Sequence, residues 1–146
     1  IARSVDTLGE DGYDTATYIS LQDALDAYGI SDVPLVPGWM PEGFELNYME
    51  VYYSKGSRLD FFAQYTNGEF VLLLNVTLWD NPSDTYTYFK DDEQVSVFES
   101  GGITHYLLSN NSATVGAWNN GAFECSISGA VSQKEMRNMI ISVYGG

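Results

Sequence analysis

Between Phe44 and Ile127 the sequence alternates short β-forming runs with strong turn signals, and this pattern constrains the fold more than any other feature. Asn-Gly and Gly-Gly pairs favour tight hairpins because these residues adopt positive φ at little steric cost. Four turn signals separate the runs: Asn67-Gly68, Gly101-Gly102, Asn110-Asn111 and Asn119-Asn120-Gly121. Short strands joined by local turns predict an antiparallel meander.

The pattern inside the runs predicts where a strand bends and which strand is central. Alternating apolar residues change parity between Tyr48 and Met49, which indicates a β-bulge at that point. The run from Phe70 to Trp79 is apolar on both faces over its first half. Such a strand is typical of the middle of a sheet that is covered on both sides.

Two amphipathic helices flank the β-rich region. Ser20 is a suitable N-cap for the first, with Asp23 at the third helical position, and Gly29 suits the left-handed residue after its end. Ser132 and Glu135 form a capping box that predicts the start of the second helix. Helical spacing places apolar residues on one face of each: Leu21, Ala24, Leu25 and Tyr28 in the first, and Met136, Met139, Ile140 and Val143 in the second.

The order helix, strands, helix gives an α+β fold class. We predict a curved antiparallel sheet of about six or seven strands, arranged as a meander, with an N-terminal and a C-terminal helix packed on it. A chain of 146 residues fits one domain. Residues 1–18 are polar and rich in Gly and Asp, so we interpret them as a lead-in or linker, and residues 19–146 as the single α+β domain.

The chain is strongly acidic, with 20 Asp and Glu against 6 Lys and Arg and a formal net charge of −14. Binding to nucleic acid or directly to an anionic membrane surface needs clustered cations, so we expect neither partner. No apolar run approaches the roughly 20 residues that span a bilayer. Most acids fall in the lead-in, the first helix and the stretch from Asp80 to Glu93, which indicates a solubilising coat around an uncharged β core.

One Cys and one His leave little material for metal sites or histidine catalysis. The acidic stretch from Asp80 to Glu93 lacks the ligand spacing of an EF-hand, which favours a solvated loop. We interpret Cys125 as a small buried hydrophobe, the alternative being a reactive thiol beside a base or a cation. We interpret His105 as a strand histidine with a hydrogen-bond partner. We therefore expect no metal, no cofactor and no catalytic residues.

Aromatic residues are the most unusual excess, since the chain contains 11 Tyr, 7 Phe and 3 Trp. Strand alternation sends some of them outward, and exposed aromatic side chains act as anchors for protein or carbohydrate ligands. The alternative is cross-strand packing, which is common for Tyr in sheets. The candidate binding residues are Trp39, Tyr52, Tyr53, Tyr86 and Tyr88.

A segment rich in proline and glycine links the first helix to the strands. We call residues 33–44 the strap, because three prolines and two glycines exclude regular structure while Trp39, Met40 and Phe44 can pack on the domain. Its sequence from Pro37 to Phe44 resembles a segment of the bacterial domains of unknown function numbered 4367. The resemblance covers roughly residues 20–144 and includes Gln64-Tyr65-Thr66-Asn67-Gly68, Gly101-Gly102-Ile103-Thr104-His105-Tyr106, Ala117-Trp118-Asn119-Asn120-Gly121 and Ile127-Ser128-Gly129.

The resemblance implies a setting outside the cytoplasm and no known chemistry. Members of that family are typically the outer parts of short membrane-anchored or lipoprotein-like proteins of Gram-positive bacteria, and some resemble anti-sigma-factor ectodomains. The family offers no catalytic residues that carry over to this chain. On this basis we expect an anchor or a signal peptide upstream of Ile1.

Three classes of function stay open at this point. The leading expectation is a non-enzymatic interaction or sensory domain outside the cytoplasm, whose partner is a protein or a small ligand. The first alternative is a carrier or sensor of a lipid or another small apolar ligand, with Met40, Met136 and Met139 lining the space. The second is a hydrolase that uses two carboxylates, although no spacing selects a pair. The sequence leaves the oligomeric state open.

Overall fold

A computed structural model describes residues 12–14, 17–54, 58–79, 95–110 and 113–145. The candidate residues Tyr86 and Tyr88, the acidic stretch 80–93 and most of the lead-in lie outside these described residues. The described elements are β1 (Gly12–Tyr13), α1 (Leu21–Ala27), β2 (Glu45–Ser54), β3 (Arg58–Thr66), β4 (Val71–Trp79), β5 (Val95–Ser100), β6 (Ile103–Asn110), β7 (Ala113–Asn120), β8 (Phe123–Gly129) and α2 (Gln133–Val143).

The described strands form one antiparallel sheet in the spatial order β1-β2-β3-β4-β8-β7-β6-β5. The predicted α+β class is confirmed, with an antiparallel sheet and one helix at each end of the sequence. The strand order differs from a single meander: two meanders, β2 to β4 and β5 to β8, are joined where β4 pairs with β8. Turn signals specify hairpins between consecutive strands, but they do not determine the partner of β4 across the long connection that follows it.

Local turn chemistry explains the two hairpins that the sequence predicts most strongly. Gly101 and Gly102 have φ of 61° and 79°, and they connect the last pair of β5 and β6. Asn67 begins a four-residue turn between β3 and β4, where its side-chain oxygen accepts hydrogen bonds from the backbone N–H groups of Glu69 and Phe70 at 2.9 and 2.8 Å. Both predicted hairpins are confirmed.

The predicted bulge and the central strand are also present. The register of β2 against β3 shifts between Leu46 and Tyr48, close to the predicted parity change. β4 lies between β3 and β8, with Leu72, Leu74 and Val76 buried on one face and Leu73 half-buried on the other. Cover on both faces was predicted for this strand. In the ranges that the structure describes, however, both helices lie against a single face.

One face of the sheet carries the hydrophobic core. Residues paired directly across neighbouring strands point to the same face, and one buried row crosses six strands: Val51, Phe61, Val76, Cys125, Trp118 and His105. Tyr28, at the end of α1, meets Phe61 edge-on, with ring centroids 5.5 Å apart. α2 packs at Gly116, two residues from Trp118 on the same strand face. Both helices therefore cover the same face.

The start and end of α1 follow from its capping residues. The Ser20 hydroxyl accepts a hydrogen bond from the backbone N–H of Asp23 at 3.1 Å, as an N-cap does. Gly29 has φ of 80°, and the N–H of Ile30 donates to the carbonyl oxygen of Leu25 at 2.9 Å. These contacts are a Schellman ending, so both predicted ends of α1 are confirmed.

α2 begins with the predicted capping box and lies close to the sheet. Ser132 and Glu135 exchange side-chain to backbone hydrogen bonds at the first turn. A Cβ atom on Gly116 of β7 would lie 2.8 Å from Ile140 Cδ1 and 3.2 Å from Met136 Sδ. The absence of a side chain at Gly116 therefore allows the helix to rest directly on the strand.

Part of the predicted lead-in is attached to the domain. β1 pairs with the end of β2. The carboxylate of Asp14, which follows β1, accepts hydrogen bonds from the hydroxyls of Tyr18 and Tyr28, the second at 2.9 Å. Because Tyr28 belongs to the core, this carboxylate connects the described end of the lead-in to α1.

Candidate functional site

The strap is held against the end of α2 by the side chain of Ser142 and by a backbone hydrogen bond from the N–H of Gly38 to the Ser142 carbonyl oxygen at 3.3 Å. The hydroxyl oxygen of Ser142 accepts hydrogen bonds from the backbone N–H groups of Gly38 and Trp39, at 3.0 and 3.1 Å. The same hydroxyl donates to the carbonyl oxygen of Met139 at 2.6 Å. A Cβ atom on Gly38 would lie 3.2 Å from the Ser142 carbonyl oxygen, so the strap and the helix are in direct backbone contact. These contacts fix the position of the strap backbone that carries Trp39.

An open groove lies between the strap, the first turn of α1 and β3. Its volume is about 240 Å³. The lining residues are Ser20, Leu21, Gln22, Val36, Pro37, Gly38, Trp39, Met40 and Tyr65, none of which carries a charge at neutral pH. Trp39 remains 43 % exposed, which is high for a tryptophan. The arrangement offers an apolar, aromatic surface with a few polar groups from Ser20, Gln22 and the Tyr65 hydroxyl.

The sequence-predicted aromatic residues lie in different places. Trp39 lines the groove, whereas Tyr52 is 39 % exposed on the face of the sheet that points away from the helices. Tyr53 is half-buried and packs against the core. It pairs with Leu59, six residues along β3 from Tyr65, which is a separation of about 20 Å. The structure therefore does not bring Tyr53 to the groove with Trp39.

The segment that builds most of the groove is acidic at its surface. Between Ser20 and Glu45 the sequence contains five acidic residues and no Lys or Arg. All five are exposed: Asp23, Asp26, Asp32, Glu42 and Glu45. Gln22, in the lining, donates a hydrogen bond from its side-chain nitrogen to the Asp26 carboxylate at 2.8 Å. The segment that supplies the uncharged groove lining thus carries exposed negative charge.

His105 lies in an aromatic cluster beneath α2. Its side chain is fully buried, its ring stacks on Phe98 with centroids 5.2 Å apart, and its Nε2 atom lies 2.7 Å from the Tyr144 hydroxyl. Burial lowers the pKa of His105 from 6.5 to about 4, against a smaller opposing effect of backbone groups of Ile103 and Phe98. The interpretation of His105 as a strand histidine with a hydrogen-bond partner is confirmed.

Cys125 is a packed core residue. It is 1 % exposed and pairs with Val76 and Trp118 on the neighbouring strands. Burial, with a smaller contribution from Glu124, raises the pKa of the thiol above its ordinary value. A thiol in this state has little thiolate character, so the structure supports the interpretation of Cys125 as a small hydrophobe.

The described residues offer less support for a metal site, for a lipid-binding space lined by methionines or for a pair of catalytic carboxylates. In the described ranges, no group of three or more His, Cys, Asp and Glu side chains is arranged to hold a metal ion. Met136 and Met139 are fully buried in the core, and Met40 is the one methionine of the predicted three that lines the groove. The groove lining contains no carboxylate. The expectation of no metal and no cofactor stays a prediction.

Among the lining residues, sequence reasoning selected only Trp39 and Met40 for binding, and it missed Gln22, Tyr65 and the positioning residue Ser142. Gln22 and Tyr65 line the groove, and Ser142 positions the strap. Gln22 and Ser142 lie on helix surfaces, where polar residues are ordinary, and Tyr65 fits the alternation of a strand. No local pattern separates them from their neighbours, because their role depends on contacts between elements far apart in the sequence.

The fold and the groove define an α+β domain in which two helices and a strap cover one face of an antiparallel sheet. The chain belongs to the family described as "Domain of unknown function (DUF4367)", whose model matches residues 34–143. The match begins within the strap and ends with α2, so the resemblance inferred from the sequence is confirmed. The α1 residues of the groove precede the matched region. No curated protein matches the chain.

Neither helix among the described residues has the length and the apolar character that a membrane-spanning segment needs.

Proposed function

We propose that this domain is a non-enzymatic interaction or sensory domain that acts outside the cytoplasm and contacts its partner through the groove beside Trp39. The observation that carries the proposal is an exposed tryptophan on a strap whose backbone is fixed by Ser142. An anchor held in one position loses little conformational entropy on binding, and Trp is enriched among residues that dominate binding energy.

The size of the groove favours a side chain of a protein partner over a whole small molecule. Sites for complete ligands usually measure about 300–1,000 Å³ and enclose most of the ligand. The groove, at about 240 Å³, is smaller and open to solvent. It therefore accommodates one or two apolar side chains of a bound protein segment. The lipid-carrier alternative receives less support, because two of its three methionines are packed in the core.

Side-chain analogues at millimolar concentration test the groove directly. We propose titrating isotope-labelled protein with the N-acetyl amides of leucine, phenylalanine and glycine while following the indole N–H of Trp39 and the side-chain amide of Gln22 by NMR. Saturable shifts are expected with the leucine and phenylalanine compounds and not with the glycine compound. Non-saturable or equal shifts for all three would overturn the proposed site.

A matched pair of variants separates the groove from general surface effects. Tyr48 lies on β2, away from the strap, and is 43 % exposed, the same fraction as Trp39. Trp39→Ala is expected to abolish the saturable shifts at Gln22, whereas Tyr48→Ala is expected to leave them unchanged. Equal loss in both variants would contradict a role for the groove.

The extracytoplasmic part of the proposal has a separate test. It is supported by what the sequence resemblance implies, as given above. The complete gene is expected to encode a signal peptide or a membrane anchor before this domain, and a periplasm- or surface-active reporter fused after it is expected to be active. A complete gene that encodes neither feature would refute this setting.

A further inference from the structure

The charge around the groove restricts the chemistry of its occupant. Residues 20–45 supply all of the groove lining except Tyr65, and this segment carries five exposed acids, none of which is in the lining. Among the described residues, the cations lie elsewhere: Arg58 on β3, where it forms an ion pair with Asp60 at 3.0 Å, and Lys134 and Arg137 on α2. Arg137 lies over the Phe98 ring at 5.1 Å, at the far edge of the sheet.

We propose that the groove binds a cationic segment of a partner protein, in which an apolar or aromatic residue is flanked by lysine or arginine. The inference rests on the proposed function and specifies the partner of the same groove. The apolar residue enters the groove against Trp39, Met40 and Tyr65. The flanking cations then lie over the exposed carboxylates of α1 and the strap.

Physical chemistry favours this combination over a neutral or acidic segment. The groove floor contains no charge that binding would bury without a partner, so the apolar contact has no desolvated ion to oppose it. The carboxylates of the same segment are exposed, so they accelerate the encounter of opposite charges and repel like charges while remaining hydrated. Trp39 adds a face for a cation–π contact. An acidic segment would meet five carboxylates and no described cation on the same surface.

Two of the exposed acids, Asp23 and Glu42, lie nearest in sequence to residues of the groove lining. Asp23 follows Gln22, which is in the lining, and Glu42 follows the lining residue Met40 by two positions. Asp26 is connected to the lining by the hydrogen bond from Gln22. Asp23 on α1 and Glu42 on the strap each lie within two positions of a lining residue, and they are therefore the residues to neutralise in a test.

Three synthetic pentapeptides with phenylalanine at the centre distinguish charge from apolar contact. The flanking residues are four lysines, four serines or four glutamates, with acetylated and amidated ends. At about 50 mM salt the lysine peptide is expected to bind about tenfold more tightly than the serine peptide, and the glutamate peptide most weakly. At about 500 mM salt the advantage of lysine is expected to fall to within about twofold, because the charges are screened.

Matched charge variants show whether the effect is local. The double variant Asp23→Asn with Glu42→Gln is expected to remove most of the lysine advantage. The control, Glu50→Gln with Glu99→Gln, changes the net charge equally on the sheet face away from the helices and is expected to retain it. All four positions lie on the surface of regular elements or the strap, and a thermal melt confirms that each variant is folded.

The outcomes separate this inference from the proposed function. Equal binding of the lysine and serine peptides at both salt concentrations overturns the cationic partner but leaves the groove as a site. Equal losses in the two double variants also overturn it, since net charge alone would then explain the preference. If none of the three peptides shifts the Trp39 indole signal, both the inference and the proposed site are refuted.

Discussion

The hydroxyl oxygen of Ser142 accepts the backbone N–H of Trp39 at 3.1 Å, although the two residues are 103 positions apart in the sequence. This hydrogen bond joins the last turn of α2 to the strap, so the C-terminal helix determines where the exposed tryptophan stands. The groove is therefore a tertiary feature, built from α1, the strap and β3 and held in place by α2.

Removal of the Ser142 hydroxyl is expected to loosen the strap without unfolding the domain. Ser142→Ala loses the hydroxyl acceptor of two backbone N–H groups; that of Gly38 keeps its hydrogen bond to the residue 142 carbonyl oxygen, and water replaces the acceptor for Trp39 at this partly exposed position. We expect the free energy of unfolding to fall by about 1 kcal/mol, as measured by urea denaturation. Hydrogen exchange of the Gly38 and Trp39 amides is expected to accelerate more than that of β4 amides. Ser142→Thr keeps the hydroxyl and is expected to retain most of the protection; equal exchange in the two variants would contradict the role of the hydroxyl.

The buried histidine makes the stability of the domain depend on pH in a defined window. The unfolded chain takes up a proton on His105 near pH 6.5, whereas the folded protein does so at about 4. The contribution is therefore fully present above pH 6.5 and is lost as the pH falls from 6.5 to 4, on the order of 3 kcal/mol in total. Unfolding free energies across this range are expected to fall less steeply for His105→Phe than for the wild type. Tyr48→Phe, at an exposed position away from the histidine, retains the titrating group and its surroundings and serves as the control; parallel profiles for the wild type and His105→Phe would disprove the assignment.

Two glycines of the sheet are expected to differ in their tolerance of a methyl group. At Gly116 the nearest atoms to an added Cβ belong to the side chains of Ile140 and Met136, which can shift, so Gly116→Ala is expected to cost about 1–3 kcal/mol. At Gly129 the backbone carbonyl oxygen of Val71 would lie at 2.6 Å, and a strand backbone cannot move as easily. Gly129→Ala is therefore expected to be the more destabilising substitution. Thermal or urea denaturation that ranks them in the reverse order would be inconsistent with this packing.

The thiol of Cys125 is expected to be unreactive in the folded protein. It is buried and its pKa is raised, so it lacks both access and thiolate character. At pH 8, a thiol-specific reagent is expected to leave the native protein unmodified over about an hour. In denaturing urea, the same reagent is expected to modify one thiol per chain. Rapid modification of the native protein would show that the strand region around Cys125 opens readily or that the thiol is activated.

Much of the fold could be predicted because its determinants are local. The capping residues Ser20 and Ser132, the hairpin glycines 101 and 102 and the β2 bulge act over a few residues, and the structure contains each of them. The same is true of the buried helix faces, since helical spacing alone selects them. The sequence therefore predicted the elements and their order along the chain.

The arrangement of those elements in space was harder to predict. The pairing of β4 with β8 joins strands that are far apart in the sequence, and neither strand carries a local signal for the other. The contact between Ser142 and the strap also joins residues that are far apart in the sequence, and so does the hydrogen bond between His105 and Tyr144. Trp39 and Met40 were predicted as candidates from their residue types, but Gln22 and Tyr65 beside them in the groove were not, because the groove exists only after α1, β3 and the strap have packed together.

Because β4 and β8 join the two meanders, the domain consists of two halves that are continuous in sequence. A cut in the connection between Trp79 and Val95 would divide the domain into two fragments, each with one meander and one helix. Each fragment would expose an unpaired strand edge and half of the hydrophobic core. The folded state of a fragment with both of these exposed is only marginally stable in water. Reassembly would pair β4 with β8 and return Ser142 to the strap, so the two halves carry complementary surfaces: the N-terminal half contains every residue of the groove lining, and the C-terminal half contains the hydroxyl that fixes the strap.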